Sequence, residues 1–389
     1  MVKKLFFGRE KEIGIVLIIS IIVSSNGLLF FLQNAIEVDL RRTAFEQQRD
    51  LQLQSTKEIA QHIQSDVTLV LSVLNGLANS LYLQQGELGS ERTTNLLEQT
   101  YANSNLTIDS LFVLDNDDIM VASLASKPSE FVLGEDFSFR SWVKETRSSL
   151  SPVFSAYYQR LGIYREFITY PIISRETGEY FGTLVTSIPT IPFFSHYGNV
   201  ERIDTQFLVA FDKNGTILAA GANINLVGAD FFGEDVQQFV NHNEILNDLT
   251  RDLLSGKSGY GVYDYGKGET LTTQYPIFIN GSPEFFIQIM TPTSEIYAKI
   301  NEVLSIQQVK VLPIIVVAST VAIAVLVILL KKWNIILARE VKRRTQELEE
   351  SYEEMINYIE QVQAELQKEK VKKSQSLHNN DNNNKLIDS

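Results

Sequence analysis

Few residues of this chain combine the type and spacing that chemistry needs, and the clearest of them are donors. In SFRSWVKET, Arg140 and Trp142 stand two apart. One carries a planar guanidinium and the other an indole N–H, and neither can accept a hydrogen bond. On residue type alone, Arg140 either meets an acidic group or pairs at the surface with Glu135 or Asp136, and Trp142 is either a donor or core. Other candidates are sparser. His62, His196, His242 and His378 are scattered without metal-ligand spacing, so no metal is expected. Asp115, Asp117 and Asp118 cluster where a turn is expected, and Asx-turn bonding accounts for them. No P-loop, nucleophile elbow or HExxH pattern occurs. The expectation is a non-enzyme without cofactor. Asn105-Leu106-Thr107, Asn214-Gly215-Thr216 and Asn280-Gly281-Ser282 match the glycosylation sequon, the latter two also as turns.

The elements that must position these residues are set first by hydropathy. Ile13–Leu32 and Val311–Leu330 are charge-free apolar stretches, each about 30 Å long as a helix, the thickness of a bilayer's hydrocarbon core. Both are expected to span a membrane. The first has no A-x-A-like site after it, so an uncleaved anchor is expected. Lys3, Lys4, Arg9 and Lys11 precede it, and Lys331, Lys332, Arg339, Lys342, Arg343 and Arg344 follow the second. The positive-inside rule then puts both termini in the cytoplasm of a two-pass plasma-membrane protein, with membrane lipid around its spans.

Residues 1–12 carry four basic and two acidic side chains and residues 331–389 eleven of each, so of the net −13 the segment between the spans holds −15. Such an acidic segment excludes nucleic acid as its partner. Cysteine is absent, so the segment must stand on its own apolar core.

Residues 34–100 lack proline and read as helix, with Leu51, Leu53, Ile59, Ile63, Val67, Val70, Leu71, Leu74 and Leu77 forming an apolar stripe. Beyond it the sequence repeats. LFVLDNDDIMVASL (Leu111–Leu124), FVLGEDF (Phe131–Phe137) and ITYPIISRETGEYFGTLVTSIP (Ile168–Pro189) are matched in order by FLVAFDKNGTILAAG (Phe207–Gly221), NLVGADF (Asn225–Phe231) and TQYPIFINGSPEFFIQIMTP (Thr273–Pro292). Each unit opens on a hairpin at Asp115–Asp118 or Asp212–Gly215 and closes on one at Glu176–Gly178 or Asn280–Pro283. Two tandem antiparallel sheets are predicted, one per unit.

A long helix leaving the membrane, two such modules and a return helix at Thr291–Leu304 together resemble the double Cache sensor domain of prokaryotic chemoreceptors and sensor kinases, over roughly residues 34–308. The resemblance implies an α+β fold of two PAS-like modules, with a small-molecule pocket in the distal one. Arg140 and Trp142 resemble the Arg-x-Trp pair of the amino-acid-binding subset, where they hold the ligand carboxylate; a guanidinium fork suits that task. The subset's next tyrosine is Val143 here, and its later tyrosine and aspartate align with Tyr157 and Gln159 in SAYYQ. Tyr158, Tyr164 and Phe167 either line the same cavity or are core. The aspartate that binds the ligand ammonium falls near Ser187. The resemblance thus implies a ligand set of Arg140, Trp142, Tyr157, Tyr158, Gln159 and Ser187 that lacks an anion for an ammonium, which favours a carboxylate over a plain amino acid.

Past the second span, Ala338, Val341, Thr345, Leu348, Tyr352, Met355, Ile359, Val362 and Leu366 step by three and four, the pattern of a homodimeric coiled coil. No glycine follows Gly281 and no proline follows Pro313, so one helix is expected from about Ser294 to about Lys373, with Pro313 a candidate kink. The Asn-rich remainder is expected to be disordered. The 59 residues from Lys331 onward are too few for a kinase core or a chemoreceptor hairpin, so an output partner in trans, a kinase or a chemoreceptor, is expected. The expected order is a cytoplasmic N-terminus (1–12), span 1 (13–32), an extracytoplasmic sensor (33–309; distal module about 105–192, proximal about 200–293), span 2 (311–330), a coiled coil (331–373) and a tail (374–389). A structural or adhesive surface protein and the sensor half of a split or truncated kinase are the competing readings.

Overall fold

A computed structural model describes residues 2–104, 106–125, 131–160, 162–198, 205–306 and 312–383. Two compact units result: residues 35–305, and residues 1–34 with 306–389. The first holds the core. Its spine is the C-terminal part of α1 (Val2–Ala78), a helix uninterrupted by proline. Of the expected stripe, Ile59, Ile63, Val67, Val70, Leu71, Leu74 and Leu77 are buried. The stripe's beginning differs. Leu51 is exposed and Leu53 half-buried, whereas Gln52 and Thr56 are fully buried. The reason is hydrogen bonding. Gln52 Nε2 donates to the Ile289 carbonyl (2.9 Å), Gln52 Oε1 accepts from Thr291 Oγ1 (2.9 Å), and the Thr56 and Thr273 hydroxyls lie 2.6 Å apart.

The short helices α2 (Leu81–Gln84) and α3 (Glu91–Asn103) lead to the first sheet. It is built from β1 (Ser110–Leu114), β2 (Met120–Ala125), β3 (Val153–Phe154), β4 (Tyr158–Arg160), β5 (Ile163–Ile173) and β6 (Tyr180–Pro189). Its order is β2-β1-β6-β5-β3, with β4 also on β5, and every pairing is antiparallel. The second sheet contains β7 (Phe207–Asp212), β8 (Ile217–Ala220), β9 (Gly259–Asp264), β10 (Glu269–Ile279) and β11 (Ser282–Pro292), ordered β8-β7-β11-β10-β9. The two orders are the same pattern, so the sequence repeat is a repeat of topology.

The opening hairpins also match atom for atom. Asp115 Oδ1 accepts from the Asp117 and Ile119 amides (2.9 Å each), and Asp212 Oδ1 from those of Asn214 and Thr216 (2.8 Å each). The closing turn at Asn280-Gly281 has positive φ at both residues (52° and 89°), as a tight hairpin of matching twist requires. The first sequon, at Asn105, lies outside the described residues.

Strand alternation gives each sheet two apolar faces. Leu111, Val113, Ile168, Leu184 and Ile188 of the first sheet join Leu208, Ala210, Phe285 and Ile287 of the second in one core with α1. On the other face of the first sheet, Phe112, Leu114, Phe167 and Val185 pack under α4 (Ser141–Ser149) and the loop holding Phe131 and Phe137. The corresponding face of the second sheet is covered by α6 (Glu234–Phe239) and α7 (Glu244–Leu254). Between the sheets, α5 (Thr190–Ser195) links β6 to the second unit of the repeat.

After β11 come α8 (Thr293–Ile306) and α9 (Leu312–Asn383). The single helix expected from Ser294 is thus described as two, with residues 307–311 outside the described residues. Pro313, the candidate kink, is the second residue described in α9, and the residues before it lie outside the described ones. Among the described residues one helix, within Pro313–Ser374, is long and apolar enough to cross a membrane. The other expected span, residues 13–32, lies within α1, and many of its side chains fall outside the described residues. The tail expected to be disordered is helical as far as Asn383. Extending an existing helix adds a hydrogen bond for each residue fixed, and no glycine or proline opposes it there.

Candidate ligand-binding site

Arg140 caps the N-terminus of α4, half-buried, with Trp142 in the first turn behind it. Its guanidinium lies 4.5 Å from the ring centroids of both Phe139 and Tyr158, and Nη2 donates to Tyr158 Oη at 2.9 Å. The surface pairing with Glu135 or Asp136 does not occur: among the described residues no carboxylate forms a salt bridge with Arg140. Its charge is therefore available to an incoming anion. Trp142 is buried and stacks on Phe167 (5.2 Å, 20°) beside Phe137 (6.0 Å), so its ring is core.

Tyr158 tilts over the same Phe167 ring at 5.5 Å. Its neighbours along β4 face away, as alternation demands. Gln159 is exposed. Tyr157 stacks on Tyr164 (5.5 Å) and packs against the α1 core, with its hydroxyl against Gly228 of the second sheet's unit. Burial, and secondarily Tyr164, raise the Tyr157 phenol above its ordinary pKa. The structure thus brings Arg140, Trp142, Tyr158 and Ser187 to one face of the first sheet and turns Tyr157 and Gln159 from it.

Ser187 is fully buried on β6, opposite Phe167 of β5 and Ser110 of β1. Its hydroxyl donates to Asp109 Oδ1 and meets the Ser110 hydroxyl. Asp109 Oδ2 in turn accepts from Arg165 Nε at 2.7 Å; the Arg165 side chain is 1% and that of Asp109 12% exposed. Arg165 lies directly across from Tyr158 in the β4–β5 pairing. A polar row therefore runs from Arg140 through Tyr158, Arg165 and Asp109 to Ser187, beside the rings of Phe131, Phe167 and Trp142. The anion that seemed missing at Ser187 is present as Asp109, delivered from the segment before β1, and a guanidinium already neutralises it.

Asp109 and Arg165 are the residues that sequence reasoning missed. Asp109 gives no signal, since it reads as an ordinary acid before a strand. Arg165 gives one: Arg165-Glu166 is a charged pair inside an otherwise apolar and aromatic strand, IYREFITYPII. On this face Arg140 is a guanidinium with no carboxylate partner among the described residues, which suits a small organic anion.

No protein-family model and no curated protein matches the sequence. Solved structures do match. The extracellular domain assigned to a histidine kinase, vpHK1S-Z8, has a TM-score of 0.53 at 16% identity over 66% of this chain and 98% of its own. The periplasmic sensory domain of the Campylobacter jejuni chemoreceptor Tlp1 has a TM-score of 0.50 at 14% identity, over 65% of this chain and 98% of its own. An extracellular ligand-binding receptor from Desulfohalobium retbaense aligns over 61% of this chain but only 40% of its own length, with a TM-score of 0.49 and 16% identity. The long helix with its two repeated sheets therefore has the double Cache fold of the extracellular sensory domains of chemoreceptors and histidine kinases.

Proposed function

We propose that the chain is a two-pass membrane receptor. Its extracytoplasmic sensor binds a small carboxylate on the distal sheet, and it signals through a cytoplasmic coiled coil to a partner protein. The observation that carries this reading is Arg140, a cation with no carboxylate partner among the described residues, held over Tyr158 beside an aromatic floor. The guanidinium of Arg140, with the Asp109 carboxylate already accepting from Arg165, favours a carboxylate over a zwitterion. Exposed Val341, Leu348, Tyr352, Met355, Ile359, Val362 and Leu366 leave an apolar seam along α9 that a second copy of the chain would cover, which supports a homodimer. In that reading the spans are residues 13–32 and 311–330, residues 331–373 form the coiled coil, and both termini are cytoplasmic. The ligand would bias the helices that cross the membrane only as far as its affinity differs between their two arrangements.

Calorimetry on the full chain in nanodiscs, titrated with acetate, lactate, succinate and a panel of L-amino acids, tests the reading. A carboxylate should bind, and Arg140→Ala should weaken it about 10- to 100-fold, the worth of a charge-assisted hydrogen bond. The second reading, an amino acid with its ammonium at Asp109, rests on the 12% exposure of that side chain. Binding of an amino acid that Asp109→Asn abolishes would select it. No binding by any of these would sink both.

A further inference from the structure

The two sheets meet at an apolar joint that contains an unbalanced set of charges. Phe285 of β11 packs edge-on against Phe154 of the first sheet (5.6 Å) and Phe194 of α5 (5.8 Å). Glu166, on β5, points away from the Arg165 face and is 2% exposed. Facing it from the second sheet's unit are Asp212, the last residue of β7, Lys213 beside it, and Glu284 of β11. Asp212 is 1% exposed and pairs with Phe285 across the β7–β11 ladder.

One oxygen of each carboxylate lacks a donor. Glu166 Oε2, Asp212 Oδ2 and Glu284 Oε2 are all buried without a hydrogen-bond partner. Asp212 Oδ1 is already committed to two turn amides. Lys213, the cation facing Glu166, is 42% exposed and keeps its Nζ 3.6 Å from Glu284 Oε2, beyond hydrogen-bond distance. A further acid, Glu145 of α4, acts on Glu284 from the distal side. A buried ionised carboxylate without a donor costs several kcal/mol, and a second and third negative charge raise that cost. A metal ion is a poor remedy, because among the described residues no three such side chains are placed to hold one. A proton supplies what the joint lacks: it removes one charge and creates one O–H donor among orphaned acceptors.

We propose that Glu166, with Asp212 and Glu284 facing it, is a proton-binding site across the joint between the two sheets, closed when Glu166 is protonated and loosened when that proton leaves. Burial first, then the charges of Asp212 and Glu284, push the Glu166 carboxyl well above its usual range, with Lys213 opposing. The unfolded chain releases this proton at the ordinary glutamate value and the folded chain holds it to higher pH. The contribution to stability is therefore full below the ordinary value and is lost as pH rises through the raised one. In a sensor, the site would make the coupling of the distal to the proximal sheet depend on external pH, whatever occupies the Arg140 face.

Thermal unfolding of the full chain in nanodiscs, followed across pH, provides the test. Wild type should fall in midpoint as pH rises above the ordinary glutamate range, with one proton more released on unfolding than in Glu166→Gln. That variant should hold the low-pH midpoint throughout, apart from the slope that Asp118 and Glu284 leave in both. Glu284→Gln removes a neighbouring charge, so the wild-type fall should end at lower pH. Parallel profiles for wild type and Glu166→Gln overturn the proposal, as does an unmoved fall in Glu284→Gln. Should Glu166→Gln fail to fold, infrared spectroscopy of wild type decides: a protonated-carboxyl band at neutral pH supports the site, and its absence refutes it.

Discussion

Asp109 and Arg165 show how much a pair contributes when its setting is dry. Their 2.7 Å contact is almost wholly out of water, so removing Asp109 takes a carboxylate from a buried guanidinium rather than deleting a surface ion pair. Asp109→Ala should cost about 3 kcal/mol in denaturant unfolding, whereas Ser187→Ala, which removes one neutral donor, should cost about 1 kcal/mol. Equal losses would mean that the row acts as one unit. The candidate site was half legible at this scale. Arg140 and Trp142 stand out because two donors at that spacing are uncommon and match a motif. Tyr157 and Gln159 enter the expected site by their alignment with the subset's tyrosine and aspartate, yet it is Tyr158, between them, that meets Arg140. Asp109 was illegible because only the pairing of β1 with β6, which sets Ser110 against Ser187, brings it to the site.

Among the elements, α1 packs through an aliphatic stripe and through polar side chains. Its buried stripe is aliphatic and shares one core with both sheets, so Ile63→Ala should destabilise by about 3 kcal/mol through a cavity. Its polar beginning meets the second sheet, and Gln52→Ala should cost about 2 kcal/mol by taking an acceptor from the Thr291 hydroxyl and a donor from the Ile289 carbonyl. Both are read from denaturant midpoints. The stripe's periodicity was visible in sequence, but its polar beginning was not, since a buried glutamine in a helix looks like a solvated one until its partners are known. Gly228 shows the same limit. Its φ of 89° and its closeness to the Tyr157 ring leave no room for a Cβ, so Gly228→Ala should loosen the joint between the sheets. Faster amide exchange in β4 and β7 would report it. On α9, Ile359→Asp should abolish self-association, measured by light scattering, if the exposed seam is a dimer contact.

At the scale of the whole molecule, the repeat was the most legible feature. Hairpins in the same order predict two sheets of one topology, and two sheets of one topology are found. The absence of cysteine makes the proposed membrane topology directly testable. In intact cells, exposed Ser149→Cys should react with an impermeant maleimide and Ser351→Cys should not; the reverse pattern, or equal labelling, would refute it.

The polar beginning of the α1 stripe has a mechanical meaning. Aliphatic surfaces tolerate small slippage, because dispersion varies smoothly with displacement and has no preferred partner atom. Hydrogen bonds do not, since they weaken steeply once distance and angle are lost. The helix is held at Gln52 and Thr56 against the second sheet and at Asn75 by the Tyr170 hydroxyl of the first (2.9 Å). An axial shift of α1 would therefore have to break these hydrogen bonds rather than slide over apolar surface alone.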